Sequence, residues 1–361
     1  MTKHELEALR DEIHALDAEL LETVARRLDV AREIGLVKEK DGLQVRDLAR
    51  EKIVIAEYVR NAISLGIDED IASRLAGTLI EGSIKVQKGS KSRDLKGKTA
   101  LIVGGAGKMG EWTSRFLSNR GAEVLIWDPR GKLEGYKNVK SLMQSANKAD
   151  IVVVASPPGT CQEELLAVLD SRPIGLVFDL CSVKSHISGT LRQGAKQGLL
   201  VTSVHPMFGP KVPSPRNQNV VVCDCGCKKA NEQASRLFSK AGAMVSIVGL
   251  ERHDELMTYV LGLSHLCTLI FAGTVARSGN EISAYGDVLG PTFGRMSRMA
   301  RELSNESKRV YHDIQALNPH TRQMIASMEM VTRDLRKASL DADPARFGKI
   351  MDSDKKYFEV K

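Results

Sequence analysis

Proline is absent from the first 128 residues of this 361-residue chain; the first is Pro129. Nothing of that kind breaks a helix in the opening third. Aromatic residues make up only 4%, which argues against a base-stacking nucleic-acid binder. Six cysteines are too few for a disulfide framework, and a reducing cytoplasm suits them. The Cys223-x-Cys225-x-Cys227 run has no nearby His/Cys partner pair, so strand-end thiols are expected and no metal. No apolar signal core follows Thr2-Lys3-His4-Glu5, and nothing marks the chain for export. The most apolar stretch, 261–276, is short and contains Ser264, His265, Cys267 and Thr268. It reads as a buried helix and not a membrane span.

What is present describes a soluble protein of two or three domains, 42% hydrophobic and 27% charged. The net charge of +7 is uneven. Residues 1–90 hold 14 Lys/Arg against 18 Asp/Glu, and the remainder holds 38 against 27. No Lys/Arg block of nucleic-acid type occurs. The basic excess suits small anions, if motifs support it.

Leu6, Leu9, Ile13, Leu16, Leu20, Val24 and Leu28 step by three or four, which predicts a helix over about 4–40. At 1.5 Å per residue it would be roughly 55 Å long, more than a small core can cover, and it implies a partner helix from a second copy. Helices over about 46–65 and 68–87 follow, then a polar linker at 91–98. From Thr99 the pattern changes. Apolar runs at 100–103, 124–127, 151–154 and 176–178 alternate with helical segments, predicting a parallel sheet with helices on both faces. Strand candidates continue to 245–248, and beyond 251 only helical patterns remain. The expected architecture is multidomain α and α/β: a helical domain at 1–90, a Rossmann-type domain at 99–250 and a helical domain at 251–361.

Gly105-Ala106-Gly107-Lys108-Met109-Gly110 is a G-x-G-x-x-G run between a predicted strand and a predicted helix. Gly105 is expected to make the tight turn, Gly107 to admit a pyrophosphate, and Gly110 to let helix and strand pack closely. Asp128, ending the next strand, would bind the ribose 2′-OH and favour NAD, while the nearby Arg130 could receive the extra phosphate of NADP. Asp179-Leu-Cys-Ser-Val-Lys184 and His205-Pro-Met-Phe-Gly-Pro210 each follow an apolar strand. Both would sit at the carboxyl edge of the sheet, making Ser182 and His205 a plausible proton-handling pair.

These segments, with Glu251-Arg-His-Asp254 and Ser264-His265, resemble the prephenate dehydrogenase family. The first ninety residues resemble the all-helical chorismate mutases. The chain as a whole is similar to the bifunctional chorismate mutase–prephenate dehydrogenase family of tyrosine biosynthesis. That resemblance implies a cytoplasmic homodimer that rearranges chorismate to prephenate, then oxidises and decarboxylates prephenate to 4-hydroxyphenylpyruvate with NAD. It implies no nucleic-acid or membrane partner. His205 falls on the family's proton acceptor, Ser182 on a serine beside it, and His265 on a substrate-site histidine. Arg252 stands where the family has glutamate, and Lys211 where many relatives are acidic. An arginine should hold the ring carboxylate. Arg295, Arg298 and Arg301 share one helical face, and the family pattern favours Arg301.

For the N-terminal helices, the residues alone allow a dimerisation arm or a second active site. Arg27 and Lys38, eleven apart, lie about 20° from one face with Cα atoms roughly 16 Å apart, and invite an anion. Arg10 lies on a different face and could serve that ligand only from a partner chain. The chorismate mutase resemblance aligns Arg10, Arg27, Lys38, Asp47, Arg50, Glu51 and Gln87 with the family's substrate-binding pattern. It implies that Arg10 and Arg27 hold the two carboxylates and that Lys38 and Gln87 donate to the ether oxygen. Glu51 would bind the hydroxyl, while Asp47 and Arg50 order the start of the second helix.

Overall fold

The computed structural model describes residues 3–41, 43–88, 94–341 and 343–359. Three helices open the chain: α1 (Lys3–Lys40), α2 (Leu48–Ser64) and α3 (Glu69–Lys88). α3 packs on both others. Asp47 caps α2, its carboxylate accepting from the Arg50 N–H at 3.0 Å. Much of the apolar stripe on α1 is bare: Ile13, Leu16, Leu20 and Leu21 are each more than half exposed. Burying one such side chain is worth about 1.5–3 kcal/mol, so a stripe of them is a strong drive toward a partner surface.

The far end of α1 docks on the next part of the chain through its polar side. Glu33 accepts from Asn119 at 3.0 Å and lies 3.8 Å from Arg115, and Asp29 lies 3.8 Å from Arg216. Burial raises the pKa of both carboxyls, against the pull of these arginines. Of the expected linker, residues 91–93 lie outside the described residues. Asp94 pairs with Arg120, and Lys98 with Asp150 at 2.7 Å.

The central sheet has eight strands: β1 (Thr99–Val103), β2 (Glu123–Trp127), β3 (Lys137–Asn138), β4 (Ile151–Val154), β5 (Leu176–Asp179), β6 (Val201–Pro206), β7 (Asn219–Asp224) and β8 (Met244–Gly249). Their spatial order is 3-2-1-4-5-6-7-8. Helices α4 (Lys108–Ser118), α5 (Leu142–Lys148), α6 (Pro158–Asp170), α7 (Ser188–Lys196) and α8 (Lys228–Ser239) connect them. Every residue of β4 and β5 is buried, because helices cover both faces. One apolar cluster gathers around Leu165 and Leu191, the other around Phe178 and Phe238. The expectation of a parallel sheet needs one correction: β7 runs antiparallel to β6. The order reverses beside β1, which pairs with β2 on one side and β4 on the other. Ligands bind at such a switch point.

The remainder is helical: α9 (Leu250–Met257), a π-helical turn (Thr258–Leu263), α10 (Ser264–Ala276), a 3-10 segment (Ile282–Val288), α11 (Pro291–Ser304), α12 (Lys308–Ala316), α13 (Thr321–Leu340) and α14 (Pro344–Phe358). The stretch expected to be a buried helix is not buried. Residues 250–276 form one helical run, long and apolar enough by length and composition to cross a membrane, and only 11% of its most apolar window is covered. Tyr259, Val260 and Ile270 are half exposed. The start of this run is nevertheless anchored in the sheet domain by the buried polar groups His253 and Asp254.

Candidate active sites

The first site lies along the carboxyl edge of the sheet. β1 ends at Val103, and the chain turns through Gly104 to Gly107, the N-cap of α4. The left-handed residue of this turn is Gly104 (φ +75°), not Gly105 as expected. Gly105 is required for a different reason: a Cβ there would stand 2.7 Å from Ile126. At Gly110 a Cβ would meet the Gly104 carbonyl oxygen at 2.3 Å, so helix and loop touch backbone to backbone. Asp128, past the end of β2, accepts from the Ala106 N–H at 3.2 Å and pairs with Arg130 at 3.3 Å. A helix N-terminus, a glycine-rich loop whose largest side chain is the Ala106 methyl, and a carboxylate at the next strand end fit a dinucleotide. Lys108 and Met109 form the first turn of that helix.

Three strands further along the sheet, β6 carries His205, 4% exposed. Its Nδ1 lies 2.9 Å from Nε2 of His253 on α9, and His253 Nδ1 lies 2.8 Å from the Asp254 carboxylate. Asp254 also accepts from the Lys184 and Ser185 backbone N–H groups and from the Ser185 hydroxyl. Lys184 is fully buried and donates to Asp179 at 2.7 Å and to the Val204 carbonyl at 3.0 Å. Burial, then His253 and Lys184, push the His205 pKa well below its ordinary value. Burial also lowers His253, against the pull of Asp254. Burial raises the Asp254 carboxyl, but hydrogen bonds from His253, Ser185 and Lys184 outweigh it and hold the group below the usual range.

Ser182 is half-buried in the loop after β5, one strand over from His205. His265 begins α10, just past the π-helical turn, whose Gly262 carbonyl accepts from Gln315 at 2.8 Å. Its ring lies 4.3 Å from that of Tyr311, and burial lowers its pKa. Arg295, Arg298 and Arg301 are all exposed on α11, and nothing in the geometry separates them. Lys211 pairs with Glu306 at 2.9 Å, joining the loop after β6 to the helical region. Arg252 pairs with Glu255 on its own helix, outside the site. Cys223 and Cys225 are buried and Cys227 half-buried. Among the described residues no group of three or more His, Cys, Asp or Glu could hold a metal.

The second candidate site lies among the opening helices. Arg27 donates to Ser83 at 2.5 Å and to the Leu79 carbonyl at 2.7 Å, so α3 fixes it. Lys38 donates to the Val45 carbonyl at 2.8 Å. Gln87 abuts Gly35, where a Cβ would sit 2.9 Å from the Gln87 Cα, and its buried Oε1 has no partner among the described residues. Glu51 is held by Arg46 at 3.2 Å. Arg10 is exposed, 17 residues before Arg27 and hence about 25 Å away along the helix. One chain therefore brings Arg27, Lys38, Glu51 and Gln87 onto neighbouring elements and leaves Arg10 apart.

Sequence reasoning did not find Ser83, Arg46, Lys184 or the His253–His205 contact. The last joins residues 48 positions apart, which no local pattern reveals. The fold and the sheet-edge site define a dinucleotide-dependent dehydrogenase carrying a helical, cation-lined module. Known proteins agree with that class. The family model for chorismate mutase type II matches residues 9–88, and that for the prephenate dehydrogenase nucleotide-binding domain matches 132–247. The NAD-binding domain of D-isomer specific 2-hydroxyacid dehydrogenases matches 73–168. The chain is 28% identical to the T-protein of Enterobacter agglomerans over 86% of its own length and 81% of the relative's. It is 30% identical to a 4-amino-4-deoxyprephenate dehydrogenase of Streptomyces pristinaespiralis over 61% of its own length and 77% of the relative's. A probable arogenate/prephenate dehydrogenase of Methanocaldococcus jannaschii is 27% identical over 72% of the chain, which spans 61% of that longer relative. The fold resembles that of a prephenate dehydrogenase from A. aeolicus solved with hydroxyphenyl propionate and NAD+ (TM-score 0.58, 18% identity, 73% of this chain and 98% of that one). The chain belongs to the chorismate mutase–prephenate dehydrogenase family.

Proposed function

We propose that the opening helices rearrange chorismate to prephenate and that the sheet-edge site oxidatively decarboxylates prephenate with NAD. The observation that carries this reading is a buried, neutral histidine base on the same sheet edge as a dinucleotide loop, in a chain that also bears Arg27, Lys38 and Gln87. In the helical module no nucleophile is needed. Arg27 holds one carboxylate, Lys38 and Gln87 donate to the ether oxygen as charge builds there, and Glu51 takes the hydroxyl, with Asp47 and Arg50 ordering the helix start. Arg10 of a second copy supplies the other carboxylate contact. The bare stripe on α1 and the uncovered faces of the 250–276 run are buried in that homodimer, which is cytoplasmic in keeping with six free cysteines.

In the dehydrogenase site, residues 105–110 and Asp128 would hold NAD, which would supply the hydride acceptor. His205 takes the proton of the ring hydroxyl as carbon dioxide leaves and returns it to the phenolate oxygen of the aromatised product. Ser182 hydrogen-bonds near that hydroxyl, and His265 and Arg301 face the substrate. Ultraviolet loss of chorismate without cofactor, and NADH formation from prephenate, test the two halves. Loss of neither substrate by the folded protein refutes the proposal. The Streptomyces relative favours a second reading, in which a 4-amino group replaces the 4-hydroxyl. A higher kcat/KM for the 4-amino substrates would establish it.

A further inference from the structure

The hydrogen bonds around Asp254 leave the two neighbouring histidines little choice of tautomer. Asp254 receives the Lys184 and Ser185 N–H groups and the Ser185 hydroxyl, so it is an ionised acceptor with no proton to give. His253 Nδ1, 2.8 Å away, must therefore carry the proton. That leaves His253 Nε2 with a lone pair directed at His205 Nδ1, 2.9 Å away. His205 Nδ1 must in turn be the donor, and Nε2 is its free base. All three groups are buried, so water cannot reverse the assignment.

We propose that His253 and Asp254 are positioning residues that set the tautomer of His205 and hold the charge it acquires. The relay rests on the reading of His205 as the base of prephenate oxidation. When the ring hydroxyl loses its proton to His205 Nε2, the O–H bond breaks and an N–H bond forms. The resulting imidazolium is stabilised through His253 by the Asp254 carboxylate, and the return of the proton to the product restores the neutral pair. Lys184, the other buried cation facing this cluster, is paired with Asp179, so Asp254 is left to serve the histidines. The arrangement is assembled from three separate segments: β6 supplies His205, α9 supplies His253 and Asp254, and the loop after β5 supplies the N–H groups that keep Asp254 ionised.

The test uses the full chain with His253→Leu and His253→Gln. Leucine removes the acceptor, and dehydrogenase kcat is expected to fall on the order of 10²-fold with KM for prephenate little changed. The acid limb of the pH profile should move at the same time. Glutamine keeps an amide oxygen that can accept from Nδ1, and is expected to recover most of that loss. Histidine ¹⁵N NMR of the unmodified protein should show Nδ1–H tautomers for both residues, with His205 reverting to Nε2–H in the leucine variant. Wild-type kcat and pH profile in folded His253→Leu would overturn the relay. So would equal losses in both variants with an unmoved profile, or an Nε2–H tautomer at His205 in the unmodified protein. Mutase turnover in the same preparations reports folding. Failure of the unmodified enzyme to oxidise prephenate would strike the assignment of His205, while the tautomer measurement would still judge the relay.

Discussion

The two candidate sites differ in how much of each a single chain completes. At the sheet edge, His205, His253, Asp254 and Lys184 are all buried, and each reaches its partners within the chain. In the helical module Arg10 stands about 25 Å along α1 from Arg27, and Ile13 and Leu16 are more than half exposed. The reason is geometric. A sheet covers its own faces with the helices that connect its strands, whereas a 38-residue helix outruns the 20-residue α3 packed on it, and α2 packs on α3. The sheet-edge cluster is thus complete in one chain's interior, whereas on the proposed reading the helical module needs Arg10 of a second copy.

The comparison breaks most sharply at His205. His205→Asn should cut prephenate oxidation by about 10²–10⁴-fold and leave chorismate turnover alone, as parallel assays would show. Equal loss in both would mean the sites are not separate. Lys38→Ala is the mirror test, removing one donor to the ether oxygen. Mutase rate should fall on the order of 10²–10³-fold while NADH formation from added prephenate persists. Asp128→Ala removes a charged acceptor, worth about 1.5–3 kcal/mol, and should lower kcat/KM with NAD by roughly 10- to 100-fold. A higher value with NADP in the unmodified enzyme would overturn the cofactor assignment. The pair Leu16→Glu and Leu20→Glu should make mutase activity fall on dilution while dehydrogenase activity declines less, followed by light scattering alongside both assays. The smallest effect is in pH. His205 must be neutral to accept a proton, and its depressed pKa keeps it neutral as pH falls. The acid limb of dehydrogenase kcat/KM should therefore lie below pH 6.5, the ordinary histidine value, and a limb above it would contradict the buried base.

Much of this fold is legible in the sequence. The runs Ala100–Val103 and Ile151–Val154 read as buried strands because a sheet covered on both faces needs continuous apolar residues. The helical stripe of α1 read correctly, and so did its excess length. The stretch 261–276 is apolar yet mostly uncovered, because composition marks a helix that favours burial but not whether its own chain covers it. The glycine loop was located, but its left-handed turn lies one residue earlier, at Gly104. Backbone dihedrals leave no mark when three glycines stand within four positions.

Periodicity, the glycine run and the His205 segment were enough for the architecture and a dinucleotide site at the sheet edge, since each rests on residues near one another in the chain, while the two chemistries came from the family resemblance. The contact of His205 with His253, the seating of Arg27 on Ser83 and the reversal of β7 arise between distant segments. They follow from how the elements pack. Hydrogen bonds a few ångströms long depend on that packing, and no spacing along the chain encodes it.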